Sequence, residues 1–119
     1  MRNTYSITPT SKPRQTQRDK WAKRPSVMRY RAFADRCREE GVVIPKSGCH
    51  VTFYMPMPAS WSQKKRANHF RRPHQQRPDI DNLLKSLLDA VHKDDSGVWD
   101  IRATKVWNDR GQIVIETGG

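Results

Sequence analysis

The chain has 119 residues, with 23 Lys plus Arg against 12 Asp plus Glu and a formal net charge of +11. That length bounds it to one domain with a modest core, and that charge points to a polyanionic partner, nucleic acid first and an anionic membrane surface as the rival. No stretch approaches the roughly 20 apolar residues of a spanning helix, and Met1-Arg2-Asn3-Thr4 opens without an apolar signal core, so the chain is expected in the cytoplasm with Cys37 and Cys49 reduced.

Tyr5 and Ile7 alternate with polar neighbours, predicting a short first strand over residues 3–8. Residues 9–25 hold Pro9, Pro13 and Pro25, show no helical period, and carry Lys12, Arg14, Arg18, Lys20, Lys23 and Arg24 against Asp19 alone. They read as a basic loop, in which Trp21 is either an anchor onto the core or a surface for a base. Residues 26–40 predict a helix. Val27, Met28, Tyr30, Phe33, Ala34 and Cys37 give its apolar series, with Ser26 as cap, Pro25 just before it, and Gly41 as a left-handed terminator. Cys49, Val51, Phe53 and Met55 alternate with His50, Thr52 and Tyr54, which predicts a strand with one buried face, ended by Met55-Pro56-Met57-Pro58.

Residues 59–77 carry Lys64, Lys65, Arg66, Arg71, Arg72 and Arg77 with no acid, and Trp61 and Phe70 are interleaved. No period holds the stretch together, so it reads as a mobile loop that orders on DNA. A helix follows, with Ile80, Leu83, Leu84, Leu87, Leu88 and Val91 at helical spacing. Trp99, Ile101 and Ala103 begin a strand running to about Trp107, in which Lys105 breaks the alternation. Asn108-Asp109-Arg110-Gly111 is a turn signature, and Ile113-Val114-Ile115 reads as the last strand, paired as a hairpin. The order β-α-β-α-β-β predicts an α+β domain over residues 1–119, a small mixed β-sheet carrying two helices.

The chemistry concentrates in Arg77-Pro78-Asp79-Ile80-Asp81-Asn82-Leu83-Leu84-Lys85. In a chain this basic, Asp79, Asp81, Asp89, Asp94, Asp95 and Asp100 crowd together. Asp79 falls at the N-cap, and Asp81, Lys85 and Asp89 lie four apart on one helical face. Two readings stand side by side. Acids at a helix start stabilise it by about 0.5–2 kcal/mol and need no further purpose. A carboxylate cluster in a positive field also suits a hard divalent cation held against a polyanion, magnesium or manganese by its oxygen ligands. Cys37, Cys49, His69 and His74 make a weak zinc set, because the cysteines are far apart and fall on apolar faces.

The run from Arg77 to Lys85, the leucine-rich helix and Asp94-Asp95 before a strand closely resemble the RusA-type Holliday-junction resolvases. Asn3-Thr4-Tyr5-Ser6-Ile7-Thr8 resembles the family's opening strand. Pro9-Thr10-Ser11-Lys12-Pro13-Arg14 with Arg18-Asp19-Lys20-Trp21 resembles its phage and prophage branch. The resemblance implies a homodimeric, magnesium-dependent endonuclease that cuts four-way DNA junctions in recombination and repair, leaving 5′-phosphate and 3′-hydroxyl ends. Carried over by position, Asp79, Asp81 and Asp95 are its catalytic carboxylates and Lys85 its functional lysine, with Asp94 adjoining the metal ligands. Lys12, Arg14, Lys20, Lys64, Lys65, Arg66, Arg71, Arg72 and Arg77 are the expected DNA contacts. The competing expectation is a non-catalytic basic phage DNA-binding protein whose acids only cap a helix.

Overall fold

The computed structural model describes residues 1–13, 24–92 and 96–118. Asp94, Asp95, Arg14, Lys20 and Trp21 lie outside the described residues. The elements are β1 (Arg2–Tyr5), α1 (Pro25–Glu39), β2 (Cys49–Pro56), α2 (Gln63–His69), α3 (Ile80–Val91), β3 (Ile101–Asn108) and β4 (Gln112–Thr117). One four-stranded mixed sheet has the order β1-β4-β2-β3, with β2 and β3 parallel and the other pairs antiparallel. Parallel neighbours need a crossover, and here the crossover carries both α2 and α3.

The α+β class and the mixed sheet match expectation. The hairpin does not: β4 pairs with β1 and β2, and β3 lies on the far flank of β2. The short link after β3 therefore passes the end of β2, where the Met57 amide donates to the Asn108 carbonyl at 2.9 Å. Gly111 sits in that link because a Cβ there would meet Thr8 Cα at 2.6 Å.

Val51, Phe53, Met55, Ile113 and Ile115 form the helix-facing side of the sheet. They pack with Phe33, Ala34 and Cys37 of α1 and Leu83, Leu87 and Ala90 of α3. β2 is buried on both faces rather than one. It is an interior strand, so neighbouring side chains also close over Thr52 and Tyr54, and the Arg71 guanidinium lies 4.5 Å from the Tyr54 ring centre.

Helix boundaries follow capping chemistry. Pro25 is the first residue of α1 and Arg24 its N-cap, so Ser26 does not cap it; proline suits a first position that needs no amide bond. Gly41 ends α1 as expected, at φ 65°. Its amide reaches the Arg38 carbonyl and that of Val42 reaches Cys37, the paired bonds of a Schellman terminator.

The segment 59–77 departs most from expectation: it is ordered and contains α2. Ser62 caps α2, its Oγ accepting from the Lys65 amide at 3.2 Å. Gln63, Lys64, Lys65, Arg66 and Ala67 are good helix formers. α2 buries no residue, so it has no apolar period to betray it. After it the chain runs antiparallel along β3, with a bridge between Pro73 and Val106. That lining covers the outer edge of β3.

Candidate active site

α3 begins where this edge segment ends. The His74 amide donates to the Lys105 carbonyl, and the Trp107 amide to the Arg72 carbonyl, both at 3.0 Å. Two residues after Gln75 the chain passes a cis Arg77–Pro78 peptide and enters α3 with Asp79 as N-cap. Asp79 starts the helix through its backbone, its carbonyl accepting from the Leu83 amide at 3.1 Å. Its carboxylate makes no capping bond. Asp81 follows in the first turn, also exposed. Among the described residues neither carboxylate has a hydrogen-bond or ion-pair partner.

Asp79 stands between two open clefts. One, of about 620 Å³, is walled by Arg77, Asp79, Asp81 and Lys105. The other, of about 550 Å³, adds Ser11 and Asn82 to Arg77 and Asp79. Ile80 was expected in the apolar series of α3, but it is 37% exposed and lines the first cleft. The inward positions of the helix are instead Leu83, Ser86, Leu87 and Ala90. Ser86 is accommodated there because its hydroxyl donates to the Thr10 carbonyl, which docks residues 8–13 onto α3.

One turn in, Lys85 Nζ pairs with Asp89 Oδ1 at 3.1 Å, and Lys12 Nζ with Asp89 Oδ2 at 3.0 Å. Burial pushes the Asp89 carboxyl up, but the hydrogen bonds and charges of Lys12 and Lys85 outweigh it and hold it below its usual range. Asp89 thus gathers two ammonium groups on the carboxylate side of α3. Lys12, expected as a DNA contact, is exposed and tied into this pair.

Lys105 was not foreseen. It occupies the helix-facing parity of β3, with Ile101, Ala103 and Trp107, where an apolar residue is the default. Its Nζ donates to the carbonyls of Gln76 at 2.6 Å and Pro78 at 2.9 Å. The broken alternation at residue 105 was the signal: a lysine on a core-facing strand position needs polar partners.

The other expected DNA contacts divide. Lys64, Arg72 and Arg77 are exposed. Lys65 is exposed with its Nζ 4.3 Å from the centre of the Trp61 ring. Arg66 donates to the Pro58 carbonyl at 2.9 Å, so it serves the fold. Arg71, at φ 63°, lies over the rings of Tyr54 and Phe70.

Trp61 packs at a tilt against Trp107 and His69, with ring centres 4.7 and 4.8 Å away, whereas Phe70 is 43% exposed. Trp61→Ala is expected to lower the melting temperature and spare the ratio of junction to duplex affinity. If the exposed Phe70 ring stacks on a base opened at a junction, Phe70→Ala weakens junction binding more than duplex binding, by about 1–3 kcal/mol. Anisotropy titrations beside melting curves separate the two. Equal junction and duplex losses for Phe70→Ala remove it from the interface.

The zinc set does not assemble. Cys37 and Cys49 are buried, and burial pushes the Cys37 thiol up to about 11, away from the thiolate a metal needs. His69 and His74 pack on Trp61 and Trp107. Among the described residues no three His, Cys, Asp or Glu side chains group as a metal site, so the described part of the acidic site is the Asp79–Asp81 pair. Among them, too, no helix is long and apolar enough to cross a membrane.

A comparison with curated proteins finds no match. A family model described as endodeoxyribonuclease RusA matches residues 5–117, a span that includes every element from α1 to β4 and both clefts. The chain belongs to the RusA endodeoxyribonuclease family.

Proposed function

We propose that the protein is a structure-selective endonuclease that resolves four-way DNA junctions by magnesium-dependent phosphodiester hydrolysis. It acts as a homodimer in recombination and repair of phage or prophage DNA in the host cytoplasm. The observation that carries this reading is the pair of unengaged carboxylates, Asp79 and Asp81, at the mouth of a cleft edged by Arg77 and Lys105. A helix-capping role would occupy the Asp79 carboxylate, and it is not so occupied. This favours the nuclease over a non-catalytic DNA-binding module.

The described donors, Asp79 and Asp81, fit a hard divalent cation: they offer oxygen, are exposed, and have no hydrogen-bond or ion-pair partner among the described residues. Asp79 and Asp81 would hold it, with Asp95 as a further ligand and Asp94 adjoining, as the family resemblance implies. When bound, it supplies Lewis acidity at the scissile phosphate and a lowered pKa for water; manganese substitutes for magnesium. Arg77 grips phosphate oxygens beside the acids with its forked donors. Lys85, placed by Asp89, sets a positive charge one turn from the carboxylates, where negative charge builds on the phosphate. A symmetric dimer presents two such sites to the two strands of a near two-fold junction.

The test is cleavage of a labelled four-way junction beside a duplex of the same arm sequence. Paired, symmetric nicks in the junction alone are expected. Equal cutting of the duplex contradicts junction selectivity, and no cutting of either contradicts the nuclease. Lys64 and Lys65 further predict a salt effect. Replacing both by Ala makes the slope of log K against log salt shallower by roughly two units if each touches a phosphate. An unchanged slope places α2 away from DNA.

A further inference from the structure

Asp79 has a carboxylate that no described group restrains, so its place is set by the backbone beneath it. That backbone is fastened at two points. On the helix side, the Asp79 carbonyl accepts from the Leu83 amide. On the other side, the carbonyls of Gln76 and Pro78 both converge on Lys105 Nζ, at 2.6 and 2.9 Å. The Lys105 backbone carbonyl also takes the His74 amide at 3.0 Å. One residue of β3 therefore grips the entering chain from both its main chain and its side chain, and reaches across the Arg77–Pro78 peptide to do so.

Lys105 also lines the cleft that holds Asp79 and Asp81. Burial presses its ammonium toward the neutral form, and the charge of Asp79 opposes this. An ammonium offers three donors and no acceptor, which suits a site where two carbonyls converge. Metal ligands must be held to within about 0.2 Å, so a turn that drifts moves Asp79 out of register with Asp81.

We propose that Lys105 is a positioning residue for the nuclease: it welds the 76–78 turn to β3 and thereby fixes the Asp79 carboxylate relative to Asp81. The inference deepens the nuclease reading and rests on it. It assigns Lys105 no contact with the reacting phosphate; it acts through Asp79.

The experiment measures manganese binding to the full chain without DNA, from the paramagnetic signal of the free ion, together with junction cleavage and melting. Lys105→Met is expected to weaken manganese binding by about 10-fold or more, the scale found when a group supporting a metal ligand is lost. Cleavage falls with it, and Lys105→Arg, which keeps charge and paired donors, recovers most of both. Amide exchange over residues 74–84 speeds up in Lys105→Met and not in Lys105→Arg. Because Lys105 acts through Asp79, adding Lys105→Met to Asp79→Asn weakens manganese binding little further. Should Lys105→Met unfold at the assay temperature, all variants are compared at a lower temperature at which its melting curve shows it folded. Wild-type manganese affinity in the folded variant overturns the inference, and so does an effect that adds in full to that of Asp79→Asn. A wild-type chain that binds no manganese and cuts no junction overturns the nuclease reading itself.

Discussion

Asp79→Asn and Asp81→Asn each reduce junction cleavage by on the order of 10³-fold or more, equivalent to about 4 kcal/mol of barrier, and leave junction binding near that of the wild type. An amide keeps the shape of the carboxylate but carries no charge, and it is a poor ligand for a hard cation. Neither side chain has a hydrogen bond or ion pair among the described residues, so removing the charge breaks no described contact of that kind. The helix loses the interaction of an acid with its N-terminal dipole, about 0.3–1 kcal/mol for a surface position, and Asp79→Asn also removes the attraction of that charge to the Lys105 ammonium. The cations of Arg77, Lys64, Lys65 and Arg72 are untouched, and removing an acid beside them does not weaken attraction to phosphate. Single-turnover rates and anisotropy on the same junction check this. Wild-type turnover in either variant removes that residue from the site.

Lys85→Ala lowers the cleavage rate by about 10²–10³-fold, the range seen when one preorganised stabiliser of developing charge is deleted. The alternative is that Lys85 serves only its ion pair with Asp89, an i,i+4 contact worth about 0.3–0.5 kcal/mol. Its side chain is 60% exposed, which argues against a larger structural share. Lys12 remains on Asp89 in the variant, so that carboxylate is not left unpaired. The melting temperature therefore stays close to wild type while the rate constant falls. Intact cleavage removes Lys85 from the catalytic site.

Much of the fold is legible in the sequence, and the rest is hidden for physical reasons. α1 and α3 announce themselves because each buries a stripe, and Asp79 and Asp81 stand where the apolar period of α3 begins. α2 stayed invisible because it buries nothing; only Ser62 and a run of helix formers mark it. The hairpin expectation at Asn108–Gly111 failed because a turn signature reports a local reversal and not which strand lies alongside. Here β4 finds its partners in β1 and β2, and β3 pairs with β2 on one side and with the edge segment after α2 on the other. Lys105 looked like a flaw in a strand pattern until Gln76 and Pro78 came into contact with it. Asp94 and Asp95 rest on resemblance to the family, since they lie outside the described residues.

The most direct test of the account is cleavage of an end-labelled four-way junction by the wild-type chain, with magnesium and with chelator, read on a denaturing gel. With magnesium, paired nicks at symmetric positions are expected, bearing 5′-phosphate and 3′-hydroxyl ends. With chelator there is binding and no cutting, and added manganese restores the nicks. Cutting that persists in chelator, or tight binding with no cutting in either metal, contradicts the account.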